Sequence, residues 1–197
     1  MSITIIKEDF RRIKKLGYVA CSRPLNKDGG IGNTYEDLLG VIENNKKEAD
    51  YLGFEIKSKR QFNQSYISLF SKSPNFPKRA NTFLRNNYGE IRDNNFPNNK
   101  KLYASVFASR NSIIYGKYKM KLKLDITNKK LYLIIKDLNE LILDEVFWTF
   151  ESLEKASKKM KSLLLVLAEI KKENNIIKYH FNKAEIYHEF NFNNFLF

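Results

Sequence analysis

Apolar residues recur along the chain with two different periods, and the points where the period changes divide it into elements. Over residues 3–16, Ile6, Phe10 and Ile13 fall at helical spacing, which predicts an amphipathic helix stopped at Gly17. Residues 18–21 predict a short strand, followed by a loop containing Pro24, Asn26, Asp28, Gly29, Gly30 and Gly32. Asn33 or Thr34 is expected to cap a second helix running through residue 42, with Leu38, Leu39 and Ile42 as its buried stripe. A polar turn over 44–48 leads into an alternating segment, 50–58. Residues 66–72 alternate as well and are expected to pair with it.

The second half of the chain is richer in strand patterns. Residues 79–88 predict a short helix ended by Gly89, 90–101 a polar loop, and 102–109 a strand. Residues 118–124 and 131–135 predict a β-hairpin turning at Asn128, with one apolar face and one face carrying Lys119, Lys121 and Lys123. A strand over 145–150, a surface helix over 151–160, a buried strand over 162–169, a turn at Asn174-Asn175, a strand over 176–181 and a short helix over 184–190 complete the reading. The order of elements predicts an α/β or α+β domain on a mixed sheet.

Composition narrows the function classes. The chain has 197 residues, 43% hydrophobic and 29% charged, enough for one domain with a real core. The apolar runs are too short to span a bilayer, and the first residues lack the pattern of a secretion signal, so a cytoplasmic protein is expected. The single cysteine, Cys21, excludes an internal disulfide framework, and two histidines argue against a structural zinc site. Lys plus Arg outnumber Asp plus Glu by 35 to 22, a net charge of +13, which calls for a polyanionic partner. The basic residues are spread between aromatic and β-branched positions rather than gathered in one amphipathic helix, which favours a nucleic-acid groove over a membrane surface.

The candidate chemistry lies in ADYLGFEIK, residues 49–57. Side chains alternate along a strand, so Glu55 and Lys57 share one face while Ile56 points into a core. A turn around Gly53 can fold Asp50 back beside Glu55. Two carboxylates converging with one ammonium suit a Mg²⁺-dependent phosphodiester hydrolase, because hard oxygen ligands hold the metal and a cation sits near water or phosphate. The bare spacing on its own favours a strand edge with a solvated Glu/Lys pair. Glu169-Ile170-Lys171 repeats Glu-x-Lys without an upstream acid and reads as a charged strand end. The glycines at 29, 30 and 32 are not followed by Gly-Lys-Ser/Thr, so they read as a linker rather than a nucleotide-binding loop.

GIGNTYEDLLG (30–40), ADYLGFEIKSKR (49–60) and SLFSKSPNFPKRANTFLRNNYG (68–89) together resemble the MvaI/BcnI family of type II restriction endonucleases, on its MvaI side. That family lies within the PD-(D/E)xK nucleases and is related to the nicking enzyme MutH. The resemblance continues more weakly through the lysine-rich hairpin and VFWTFESL (146–153). It implies a restriction-endonuclease-like single domain over 1–197, with a catalytic core over about 1–110 and a partial recognition lobe over about 111–197. It implies that Asp50, Glu55 and the carbonyl of Ile56 bind Mg²⁺, with Mn²⁺ as a substitute, and that Lys57 orients the attacking water.

Glu36 has two readings, an aid to the metal site or a charge at a helix terminus. Lys72, Arg79 and Arg85 likewise read as phosphate contacts or as solvated charges. The implied partner is double-stranded DNA, cut by a monomer at a short CC(A/T)GG-type site, with a cognate DNA methyltransferase as functional companion. The alternatives are a MutH-like nickase and a DNA-binding remnant without turnover. Two departures stand out. Ala49 replaces the family's proline, and nothing matches the basic, base-reading segment that follows the position of Tyr187, so a shortened relative or truncated product is expected.

Overall fold

The computed structural model describes residues 2–25, 29–41, 49–92 and 94–192. They form two compact units, one built from the residues up to Phe70 and those from Ser157 onward, the other from Ser71–Ala156. The first unit is therefore made by two separate stretches of chain, and the division expected near residue 110 does not coincide with this one. The fold is a mixed α+β arrangement, as the element pattern predicts.

The first unit is organised by its longest hairpin. β9 (Ser162–Glu173) and β10 (Ile176–His188) pair antiparallel across Asn174-Asn175, both at positive φ (49° and 62°), the conformation that a two-residue turn between right-twisted strands requires. β1 (Val19–Ala20) borders β10, and β2 (Glu55–Arg60) runs parallel to β9 at the opposite edge, with Glu55 level with Leu163. Leu164, Val166, Ala168, Tyr179, Phe181 and Ile56 bury one face of the sheet. α1 (Ser2–Lys15) and α2 (Gly30–Leu39) cover it with Ile6, Ile13 and Tyr35. α1 ends before Gly17, at φ +67°, with Arg12, Lys14 and Lys15 in its last turn, where cations complement the helix dipole.

Several expectations change here. α2 begins at Gly30, so Gly30 and Gly32 belong to the helix rather than to a linker. A Cβ on Gly30 would lie 2.5 Å from the Tyr179 hydroxyl, and one on Gly32 3.1 Å from Ser58 Oγ. The glycines let the helix approach the sheet closely. Thr34 does not cap the helix; its hydroxyl donates to the Gly30 carbonyl and accepts the Ser22 N–H. The helix closes at Gly40, in the left-handed conformation. The expected turn over 44–48 and the stripe position Ile42 lie outside the described residues.

Residues 184–188 are strand, not helix, because Ala184–Tyr187 find a continuous partner in β9; that pairing outweighs local helical preference. A bulge at Asn182 shifts the register between Phe181 and Lys183. The segment expected as a strand at 66–72 forms none; β2 pairs with β9, about a hundred residues later in the chain, and is the edge of its sheet.

The second unit is an antiparallel meander, β5 (Ser112–Ile114), β6 (Tyr118–Asp125), β7 (Lys130–Lys136) and β8 (Ile142–Thr149), in that order. Its core joins Met120, Leu133, Ile135 and Val146 to Ala80, Leu84 and Tyr88 of α3 (Ala80–Tyr88). The lysine-rich hairpin is β6–β7, its turn held by Asp125 accepting from the Asn128 backbone and side-chain amides. The expected loop at 90–101 contains a small ladder, β3 (Glu90–Ile91) with β4 (Lys100–Lys101), and no strand forms at 102–109. α4 (Phe150–Ser157) tightens into a 3-10 turn, Lys158–Lys161. The helix is not a surface one throughout, since Leu153, Ser157 and Met160 are buried.

Candidate active site

Two hydrogen bonds, Tyr51 N–H to the Phe54 carbonyl (3.0 Å) and Phe54 N–H to the Tyr51 carbonyl (2.8 Å), close a tight turn. Leu52 (φ +48°) and Gly53 (φ +84°) occupy its corner, and the glycine takes its positive φ without steric cost. The turn reverses the chain, so Asp50 returns alongside the start of β2, where its Oδ2 accepts the Ile56 N–H at 2.8 Å. β2 is the edge of its sheet, and this N–H faces the open edge rather than β9. Strand residues direct their N–H and C=O to the same side, so the Ile56 carbonyl faces that edge too. The Ile56 side chain points into the core.

Glu55 and Lys57 lie on the sheet face opposite Ile56. Glu55 is 1% exposed, and its Oε1 accepts from Lys57 Nζ at 2.6 Å. A second ammonium, that of Lys159 in the 3-10 turn, reaches the same oxygen at 2.6 Å. Glu55 Oε2 is buried and has no hydrogen-bond partner among the described residues. A buried carboxylate oxygen left this way is costly unless something positive or donating completes it. The Asp50 carboxyl is held above its ordinary range, chiefly by burial and further by the charge of Glu55, against the lowering effects of the Ile56 N–H, Lys159 and Lys57. Burial and like charge oppose ionisation here, and a bound cation would relieve both.

These residues suit a hard divalent cation in part. Asp50 and Glu55 supply oxygen ligands, and the orphaned Oε2 is a vacant acceptor. Among the described residues no group of three or more His, Cys, Asp or Glu side chains converges, so Glu36 does not close on the other two acids. Glu36 sits on α2 near Gly32, on the same side of the helix. Lys72, Arg79 and Arg85 belong to the second unit and are exposed there. The Lys72 carbonyl accepts the Trp148 indole N–H, Arg79 begins α3 at φ +58°, and Arg85 bonds Asn86.

The second Glu-x-Lys has a different setting. β9 extends to Glu173, so Glu169 lies inside the strand rather than at its end. Its two oxygens accept from Asn182 Nδ2 (2.6 Å) and the Tyr18 hydroxyl (3.0 Å). The depression beside it, about 590 Å³ and lined by Tyr18, Arg60 and Phe62 among others, has no acid pair.

Lys159 was not expected at this site. It lies about a hundred residues from Glu55, and no spacing rule connects them. What connects them is the parallel register: Glu55 is level with Leu163, and the 3-10 turn immediately precedes Leu163's strand. The only local signal is the KKMK run, whose Met160 is 1% exposed and pins the turn.

Residues 7–197 match the sequence model of the MvaI/BcnI restriction endonuclease family. The chain is similar to the structure of restriction endonuclease MvaI in complex with its cognate DNA substrate, with a TM-score of 0.87 and 30% identity, over 96% of this chain and 76% of that one. It is also similar to MvaI in the absence of DNA, with a TM-score of 0.55 and 29% identity, over 97% and 82% of the two chains. Comparison with curated protein sequences finds no match.

Proposed function

This chain belongs to the MvaI/BcnI restriction endonuclease family and is a type II, site-specific deoxyribonuclease, and from that premise we propose that it hydrolyses DNA with a divalent cation, Mg²⁺, held by Asp50 and Glu55. The observation that carries this reading is the Tyr51–Phe54 turn, which sets the Asp50 carboxylate beside Glu55 and Lys57 while Glu55 Oε2 lacks a partner. The Ile56 carbonyl, on the same open edge as Asp50, is the third protein ligand.

The cation supplies Lewis-acid stabilisation of the developing phosphate charge and lowers the pKa of water. Asp50 and Glu55 fix its place, and the Ile56 N–H keeps Asp50 turned toward it. Lys57 positions the attacking water and offsets charge on the non-bridging oxygens. A water oxygen bonds to phosphorus, the bond from phosphorus to a deoxyribose oxygen breaks, and the water proton passes to solvent while the departing oxygen gains one. Glu36 shapes the approach to this site from α2.

DNA is bound through basic residues of the second unit. Lys121 and Lys123 are exposed on β6, beside a depression of about 520 Å³ that Lys119 and Lys136 also line. Lys72, Arg79 and Arg85 add phosphate contacts. The protein acts as a monomer on a short CC(A/T)GG-type duplex site, in the cytoplasm, beside a methyltransferase that protects the host's own sites. No helix among the described residues is long and apolar enough to cross a membrane.

The test is plasmid cleavage with Mg²⁺, compared with EDTA and with Asp50→Ala. Discrete fragments from the wild type alone support the reading. Intact plasmid at low salt with Mg²⁺ or Mn²⁺, together with salt-sensitive binding unaffected by Asp50→Ala, would mean a DNA-binding protein without turnover.

A further inference from the structure

Glu55 Oε1 carries two ammonium groups, each at 2.6 Å. The two lysines are held differently. Lys57 lies on Glu55's own strand, two residues away, and its backbone is fixed by the pairing of β2 with β9. Lys159 comes from the four-residue 3-10 turn, pinned by Met160, and its side chain is 35% exposed against 23% for Lys57. Its long stem can swing into solvent without disturbing the backbone. The Lys159 ammonium therefore occupies, on Glu55 Oε1, a position that a cation bound by that carboxylate would contest.

A buried carboxylate must be compensated before metal arrives, or the metal-free protein bears its full desolvation cost. Lys159 supplies that compensation. A divalent cation and an ammonium at hydrogen-bond distance from the same carboxylate repel each other strongly at such range. We propose that Lys159 is a positioning residue that stands in for the metal: its ammonium pairs with Glu55 Oε1 and keeps that carboxylate aimed in the metal-free protein, and metal binding exchanges it off Glu55. The inference rests on the reading of Asp50 and Glu55 as metal ligands.

The experiment is a calorimetric titration of the full chain with Mn²⁺, without DNA and at fixed salt, on wild type, Lys159→Met, Lys159→Arg and Asp50→Asn. Removing one opposing unit charge within a few ångström is expected to tighten Mn²⁺ binding in Lys159→Met by about tenfold or more. Lys159→Arg, which keeps the charge, should bind much as the wild type does, and Asp50→Asn should lose binding. Thermal melts provide the second readout. Lys159→Met should melt lower than wild type in EDTA and recover most of the difference in Mn²⁺, whereas a merely structural role lowers both melts equally. If Lys159→Met does not fold, Lys159→Gln is titrated with the same expectation.

Equal or weaker Mn²⁺ binding in the neutral variants, with binding still lost in Asp50→Asn, overturns the exchange and leaves the metal site standing. Wild-type binding that is absent, or indifferent to Asp50→Asn, overturns the metal site and the exchange together.

Discussion

Changing Glu55 to Gln keeps the shape of a side chain that is 1% exposed and removes its charge. Three terms set the cost. Each ion pair lost to a partly exposed ammonium weighs about 0.2–1 kcal/mol, because the ammonium rehydrates; Lys57 and Lys159 are 23% and 35% exposed. The larger figure of about 3–5 kcal/mol, for stranding a buried charge, does not apply, since the charges left behind are at the edge of water. Against this, the wild type carries an unpartnered buried carboxylate oxygen, a burden of about 1–3 kcal/mol that a neutral amide lightens. The terms nearly cancel.

Glu55→Gln should therefore lie within about 1 kcal/mol of wild type in urea denaturation with EDTA. With Mg²⁺ at a hundredfold excess over its dissociation constant, the wild type should gain about 2.7 kcal/mol and the variant little. Cleavage should fall by about 10³ or more, the rate equivalent of losing roughly 4 kcal/mol of transition-state stabilisation. A loss above about 3 kcal/mol in EDTA would show that Glu55 is a structural ion-pair centre. Equal Mg²⁺ stabilisation of both proteins would place the metal elsewhere.

Other substitutions probe the scaffold. Phe181→Ala, at a fully buried position between Tyr35 and Tyr179, should cost about 3–5 kcal/mol in denaturant unfolding. Gly30→Ala drives a methyl to 2.5 Å from the hydroxyl of Tyr179, itself 4% exposed, and should cost about 1–3 kcal/mol by the same measure; Gly32→Ala, with 3.1 Å to Ser58 Oγ, should cost less. The Arg23 guanidinium, and then the Ser22 hydroxyl, hold the Asp37 carboxyl below its ordinary range. Its folded pKa is depressed, so the stability it adds is present above the unfolded value and is lost as pH falls through the folded one. Arg23→Ala should move the Asp37 titration upward, toward the ordinary carboxylate range, in a carboxyl-carbon NMR titration, and should begin the acid loss of this contribution at higher pH.

Periodicity served best where an element answers mainly to its own sequence. α1, the β6–β7 hairpin and the Asn174-Asn175 turn have their apolar stripe or turn residues in place, and each forms about where the pattern puts it. The pattern misled where a distant partner decides. Residues 66–72 alternate well but do not join the edge of β2, and 184–188 read as a helix until β9 offers twelve residues of edge. The start of α2 was misplaced because glycine marks loops in sequence, whereas here Gly30 and Gly32 mark the closest approach of helix to sheet.

By itself the sequence determined the family and the compact acid motif. Asp50, the Gly53 turn, Glu55 and Lys57 lie within eight residues, so turn chemistry and strand alternation are enough to bring them together. Only the tertiary structure decided which face of β2 is closed over and by what. The parallel pairing of β2 with β9 buries Glu55 and carries the 3-10 turn, with Lys159, onto it. That contact depends on the register of two strands far apart in the chain, and register between distant strands is set by the packing of the whole core, which leaves no spacing in the sequence to read.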